Sequence, residues 1–297
     1  MKVLIIGAKG MLGQAMGEAF AGNELALMDR EEIDITKNAD CRLQIAELKP
    51  EIVINCAAYT NVDKAEEEQD AAYKINGYAV GNLAAVCKEL DIPLVHFSTE
   101  YVFDGESERG YDESAKPNPV SAYGRSKLLG EEELQKNTDK YYLIRLSRLF
   151  GKNSPSPSLE KRGVPSLLQR EGKGEFQRKK SFVQLMLDLA EKQNEIEVVD
   201  EEVSSPTYAP DLAKLTRHII ENKLPYGVYH GANSGSCTWH GFAREIFKIA
   251  GKNAKLKAVP SLRFPRPAKR PAYAVLLNTK LPPQRPWQDA LNEFLMR

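Results

Sequence analysis

The sequence predicts a doubly wound α/β fold, a parallel sheet covered by helices on both faces, followed by a smaller α/β region. Three observations carry this. Strand-like and helix-like stretches alternate through the first half, a glycine-rich turn joins the first strand to the first helix, and the pattern becomes irregular and proline-rich beyond residue 150.

The elements follow in order. Residues 3–6 form a short apolar, largely β-branched run ending at glycine, which reads as a strand buried on both faces. Residues 11–20 have helical spacing. A second strand is expected at 24–28, a helix at 41–48 and a third strand at 52–55. A long helix over 71–90, a strand at 94–98, a helix at 123–134 and a strand at 142–146 complete the alternation. The acidic run Glu66–Glu67–Glu68 is expected at a solvated helix start, where negative charge suits the helix dipole. Further on, helices are expected at 182–191, 211–221, 239–249 and 287–295, with strands at 196–199 and 227–230. The expected division is 1–147 as a nucleotide-binding domain and 148–297 as mainly a substrate-binding domain, with some elements returning to the first sheet.

Composition narrows the function. Lysine plus arginine (41) equals aspartate plus glutamate (41), which argues against a nucleic-acid partner held by bulk charge. The four cysteines, Cys41, Cys56, Cys87 and Cys237, show no paired spacing and read as free thiols of a reducing compartment. The apolar run at the start is too short for a signal peptide or a membrane span, so a cytoplasmic protein with no membrane partner is expected. The four histidines lack metal-ligand spacing, and no metal site is expected.

Gly7, Gly10 and Gly13 form G-x-x-G-x-x-G directly after the first strand. Gly7 lets the chain turn, Gly10 lets backbone approach a pyrophosphate, and Gly13 allows close helix–strand packing. The helix start then offers N–H groups to phosphates, so this is a candidate dinucleotide turn of the Rossmann type. Asp29 and Arg30 end the second strand, where the adenosine ribose of such a cofactor lies. The carboxylate suits the ribose hydroxyls of NAD and the guanidinium the 2′-phosphate of NADP, so both coenzymes stay open, with NADPH favoured. Tyr123 and Lys127 make Y-x-x-x-K at a helix start, on one helical face. An ammonium near a phenol is expected to bring its pKa, ordinarily about 10, toward neutrality and fit it for acid–base work. Thr99 ends a strand at the sheet edge where ligands gather, and its hydroxyl is a candidate partner for a substrate carbonyl.

GAKGMLGQAM, INCAAYTNVDKAEEE, STEYVFDG, NPVSAYGRSKLLGE, VSSPTYAPDLA, GVYHGANSGSCTWHGFA and LNTKLPPQRPWQDAL together resemble the dTDP-4-dehydrorhamnose reductase family of the extended short-chain dehydrogenases/reductases, in order and spacing over almost the whole chain. The resemblance implies reduction of the C4 ketone of dTDP-4-dehydro-L-rhamnose by NADPH or NADH, with a homodimer as the candidate assembly. It implies Tyr123 as proton donor, Lys127 as the residue that lowers its pKa and holds the nicotinamide ribose, and Thr99 as their hydroxyl partner. It places Gly10, Met11 and Leu12 at the pyrophosphate, and Asp29, Arg30, Asp34 and Ile35 at the adenosine. Ala57, Ala58, Tyr59 and Thr60 would lie beneath the cofactor, and Asn76 would support the lysine through water. Three features depart from the pattern: Glu100 stands where the family has aspartate, Arg148 where it commonly has tryptophan near the sugar, and 152–180 is additional. Glu100 and Arg148 are nevertheless expected at the substrate. The 152–180 stretch carries eight Lys/Arg against three Glu and is either a solvated insertion or a basic lid which, with Arg148, meets the substrate diphosphate. Two other readings stay open: a nucleotide-sugar epimerase or dehydratase on the same scaffold, and a non-catalytic subunit like the beta subunit of methionine adenosyltransferase.

Overall fold

A computed structural model of the chain describes residues 1–152 and 181–296. The expectation of a lid or solvated insertion falls on a stretch that, but for residue 152, lies outside the described residues. The first half runs β1 (Lys2–Ile6), α1 (Met11–Ala19), β2 (Glu24–Met28), α2 (Asn38–Leu48) and β3 (Ile52–Asn55). It continues α3 (Gln69–Tyr73), α4 (Ala79–Glu89), β4 (Leu94–Thr99), α5 (Ala122–Asn137) and β5 (Tyr141–Leu146). The second half holds β6 (Leu149–Phe150), α6 (Phe182–Lys192), β7 (Glu195–Val199), β8 (Val203–Ser204), β9 (Thr207–Tyr208) and α7 (Ala209–Glu221). After these come β10 (Gly227–His230), β11 (Cys237–Thr238), α8 (Trp239–Ala250), β12 (Lys255–Val259), β13 (Tyr273–Ala274) and α9 (Trp287–Met296).

Six strands form one sheet in the order β2-β1-β3-β4-β5-β10, every neighbouring pair parallel. The chain moves outward from β1 to β2 and then returns to β3 on the other side of β1. A crevice therefore opens at the carboxyl ends of β1 and β3, where such folds bind ligands. Side-chain alternation sorts the core into two layers. Val3, Ile5, Ile52, Ile54, Val95 and Ile144 face α1 and α7, whereas Leu4, Ile6, Val53, Leu94 and Leu143 face α2 and α4. A third cluster joins α6, α8 and α9 over β7, around Phe150, Tyr208, Phe242 and Trp287.

The differences from expectation have local causes. The long helix expected over 71–90 is interrupted by a π-helical turn, Lys74–Tyr78, between α3 and α4. Such turns frequently mark functional positions, and this one carries Asn76. The acidic run is a solvated helix start only in part: Glu67 and Glu68 are exposed, with Glu68 at the N-cap of α3, whereas Glu66, in the 3-10 turn Lys64–Glu66, reaches across to accept a hydrogen bond from the Ala122 N–H at 2.8 Å. That N–H is one of the unsatisfied donors at the start of α5, so Glu66 caps a helix distant in sequence.

Candidate active site

The glycine turn sits at the β1 end of the crevice. Gly7 has φ +77°, and a Cβ there would lie 2.7 Å from the Ala57 nitrogen. A Cβ on Gly13 would lie 2.2 Å from the Gly7 oxygen. Both positions are closed by backbone. At Gly10 the nearest atom to a Cβ is the Gly7 oxygen at 3.3 Å, so its face is comparatively open. Gly10 is the N-cap of α1, and no side chain caps the helix. The N–H groups of Met11, Leu12 and Gly13 thus head a helix start free of side chains, which is what a pyrophosphate needs. The residues present fit a dinucleotide.

At the adenosine end, Asp29 accepts from the Lys9 N–H at 3.0 Å and from its neighbour Arg30's N–H at 2.9 Å. One carboxylate oxygen thus braces the glycine turn and the other the backbone after β2, while the Arg30 side chain is exposed. Asp34 accepts from the Thr36 N–H and hydroxyl, which holds its carboxyl below the usual range, and Ile35 is buried. Along the other wall run Ala57, Ala58, Tyr59 and exposed Thr60. Asn76 fixes this segment with both ends of its amide: its oxygen accepts from the Tyr59 N–H at 2.8 Å, and its nitrogen donates to the Tyr59 oxygen at 3.0 Å. The same nitrogen donates to Ser126 Oγ at 3.0 Å. Asn76 thus ties the cofactor wall directly to α5.

Helix α5 starts at the N-cap Ser121, whose hydroxyl accepts from the Gly124 N–H at 3.1 Å. It packs very closely here, since a Cβ on Gly124 would lie 2.2 Å from the Tyr101 oxygen. Tyr123 consequently meets Tyr101 edge-on, with ring centroids 5.5 Å apart. Lys127 is buried and donates to the Phe97 carbonyl at 2.6 Å, with His96 Nε2 3.3 Å away. Burial lowers its pKa to about 8, with the Glu131 charge opposing.

The expectation that Lys127 depresses the Tyr123 pKa is corrected here. Burial, then the charges of Glu100 and Tyr101, push the phenol above its ordinary value, and hydrogen bonding with Thr99 only opposes this. The reason is geometric: the lysine nitrogen is held by Phe97 and His96 on β4. Tyr123 therefore holds its proton at neutral pH, as a proton donor must.

Thr99 and Glu100 are both buried, and the Thr99 hydroxyl donates to Glu100 Oε2 at 2.7 Å. Glu100 is thus turned inward, and burial raises its pKa against the opposing Thr99 bond. Arg148, at φ +41°, is not left free for an anion. Its guanidinium donates to the carbonyls of Cys237 at 2.8 Å and Glu202 at 2.5 Å and lies 4.1 Å above the Trp239 ring.

Sequence reasoning missed a cavity of about 410 Å³ lined by Glu202, Phe264, Arg266, Lys269 and Arg270 among others. Arg270 holds Asp63 with two bonds of 2.7 Å, and its charge acts on Tyr101, which touches Tyr123. The only sequence signal was the basic, proline-rich run RFPRPAKRP. Among the described residues no group of three or more His, Cys, Asp or Glu could hold a metal ion, and no helix is long and apolar enough to cross a membrane.

An uncapped glycine turn at the switch point of a parallel sheet, with half-buried Tyr123 and buried Lys127 of α5 set against the neighbouring β4, defines a dinucleotide-dependent oxidoreductase of the short-chain dehydrogenase/reductase type. The family model described as "RmlD substrate binding domain" matches residues 1–297, and the chain belongs to that family. It is 33% identical to a dTDP-4-keto-6-deoxy-D-glucose reductase of Streptomyces niveus, over 98% of this chain and 95% of the relative. Among solved structures it is similar to a dTDP-4-dehydrorhamnose reductase from Clostridium acetobutylicum, with TM-score 0.88, 37% identity, and coverage of 100% and 99% of the two chains. The dTDP-4-dehydrorhamnose reductase of Bacillus anthracis in complex with NADP gives TM-score 0.88 at 33% identity, covering 99% of this chain and 98% of that one.

Proposed function

We propose that the protein reduces the C4 ketone of a dTDP-linked 4-keto-6-deoxy sugar, with dTDP-4-dehydro-L-rhamnose as the substrate and NADPH as the reductant, in the cytoplasm. The observation that carries this reading is that Tyr123 of α5 hydrogen-bonds Thr99 at the carboxyl end of β4 while Lys127 of the same helix reaches β4 at Phe97, in a chain matched to its family along its whole length. NADPH is supported at the adenosine end, where Asp29 is engaged by backbone and Arg30 is exposed beside it. The four cysteines are free, in keeping with a reducing compartment.

When bound, the reduced nicotinamide supplies the hydride. The phenol of Tyr123 gives its proton to the ketone oxygen as negative charge develops there. Thr99 orients that oxygen through its hydroxyl, and Lys127, held at the Phe97 carbonyl of β4, would hold the nicotinamide ribose. The substrate diphosphate would lie at the cavity lined by Arg266, Lys269 and Arg270, where it would compete with Glu202 for Arg266 and with Asp63 for Arg270, while Arg148 shapes the wall with Trp239.

The test is to offer the purified protein dTDP-4-dehydro-L-rhamnose and dTDP-4-keto-6-deoxy-D-glucose, following the oxidation of NADPH and NADH separately. Fastest oxidation is expected with the rhamnose precursor and NADPH. No oxidation of either reductant with either sugar overturns the reading.

A further inference from the structure

We propose that His96, fixed in its Nε2–H tautomer by the Asn55 side chain, is a positioning residue that keeps Lys127 ready to lose its proton; the inference rests on the reading of Lys127 as part of the reductase site. Nothing in the family resemblance gives His96 or Asn55 a role.

Asn55, at the end of β3, accepts the Ala57 N–H with its side-chain oxygen at 3.1 Å. That bond fixes which way the amide points, because a flipped amide would set its nitrogen against the Ala57 N–H. The Asn55 nitrogen then faces His96 Nδ1 at 3.2 Å and has only hydrogens to offer. Nδ1 must accept, so the single proton of the neutral ring sits on Nε2. The ring is neutral, since burial pushes its pKa well below the ordinary value.

His96 Nε2–H is therefore the group 3.3 Å from Lys127 Nζ. An ammonium has no lone pair to receive it, whereas an amine accepts from Nε2–H and still donates to the Phe97 carbonyl at 2.6 Å. This pocket fits the amine better than the ammonium. The other groups facing Lys127 do not reverse that preference. Glu131, one turn further along α5, favours the ammonium, but Arg145 of β5 holds its carboxylate in two bonds of 3.0 and 2.7 Å. Asn76, from the π-helical turn, reaches α5 only through neutral Ser126, and Tyr123 on α5 itself holds its proton. Glu100 and Tyr101 lie around Tyr123.

Nitrogen NMR of protein labelled with ¹⁵N-histidine tests the tautomer without requiring turnover, so failure here is separable from failure of the reductase assay. Across about pH 5 to 8, a pyridine-type Nδ1 and a pyrrole-type Nε2 are expected for His96. The reverse assignment, or an imidazolium within that range, overturns the proposal. Asn55→Asp supplies a carboxylate that accepts from Nδ1–H and should exchange the two nitrogen types; an unchanged pattern in folded variant also overturns it. Titration of Lys127 by ¹³C-lysine NMR gives the consequence. In His96→Phe its pKa should rise by about half to one unit, as a donor favouring the amine is removed. A lysine titrating where it does in the unaltered protein would mean that burial alone depresses it. Should His96→Phe fail to fold, the tautomer measurement on the unaltered protein decides.

Discussion

Gly10 and Gly13 belong to one motif, yet replacing each with alanine should have opposite consequences. In Gly13→Ala the new Cβ would lie 2.2 Å from the Gly7 oxygen and 2.7 Å from the Ala8 Cα, both backbone atoms. Relieving this requires the β1–α1 turn to open by about 1 Å, a strain at the upper end of the about 1–3 kcal/mol that overpacking costs. Alanine's better helix propensity returns about 1 kcal/mol, leaving a net loss near 2 kcal/mol. For a chain of 297 residues, whose unfolding entropy is about 0.6 kcal/mol per kelvin, that lowers Tm by about 3 °C. In Gly10→Ala the nearest atom is 3.3 Å away and φ is −73°, so the fold should lose less than about 1 kcal/mol. Its methyl group instead projects where a pyrophosphate would approach, and NADPH should bind at least about tenfold more weakly. Differential scanning fluorimetry and NADPH fluorescence titration on both variants read the two effects separately. A Gly13→Ala protein with unaltered Tm, or a Gly10→Ala protein with unaltered NADPH affinity, would refute the assignment of roles within the turn.

Tyr123→Phe should lower kcat by about 10²–10⁴ with little change in NADPH affinity, checked by steady-state kinetics and fluorescence titration. Arg270→Gln should raise KM for the nucleotide sugar and weaken its salt dependence, because one diphosphate contact is lost; kinetics at two ionic strengths read this. Glu131→Ala leaves the Arg145 guanidinium buried without its partner and should destabilise by about 3–5 kcal/mol in a denaturant titration. His230 is buried with its pKa lowered to about 4, chiefly by burial. The unfolded chain therefore takes up a proton below about pH 6.5 that the folded chain refuses, and stability should fall as pH drops from there toward 4. Tm measured against pH should fall less steeply in His230→Phe.

Elements with a strong local signature were legible in the sequence. The run 52–55 and the helix starting at Trp239 match their expected positions because apolar spacing and flanking turns agree there. The need for glycine at Gly7 and Gly13 was legible too, because each sits where backbone closes on the turn. What escaped notice depends on tertiary pairing. Glu66 reads as a solvated residue until α5 is placed beside it, 56 positions along the chain. The Tyr123 pKa was expected in the wrong direction, because spacing puts Lys127 on the right helical face without revealing that Phe97 and His96 hold it. Arg148 looked like a free cation until the carbonyls of Cys237 and Glu202 took up its donors. Two-residue strands such as β8, β11 and β13 exist only through their pairing in one small sheet and leave no periodicity to read.

The central claim is that Tyr123 protonates a sugar ketone that receives its hydride at C4 within this site. The most direct test incubates the protein with dTDP-4-dehydro-L-rhamnose and NADPH deuterated at the nicotinamide C4 position, in each of the two stereochemical forms. The product is then analysed by NMR. One form should yield dTDP-L-rhamnose with deuterium at C4 of the sugar, one equivalent for each NADPH oxidised, and Tyr123→Phe should slow its appearance by the factor given above. Product lacking deuterium from either form, or labelled at another carbon, would contradict the account.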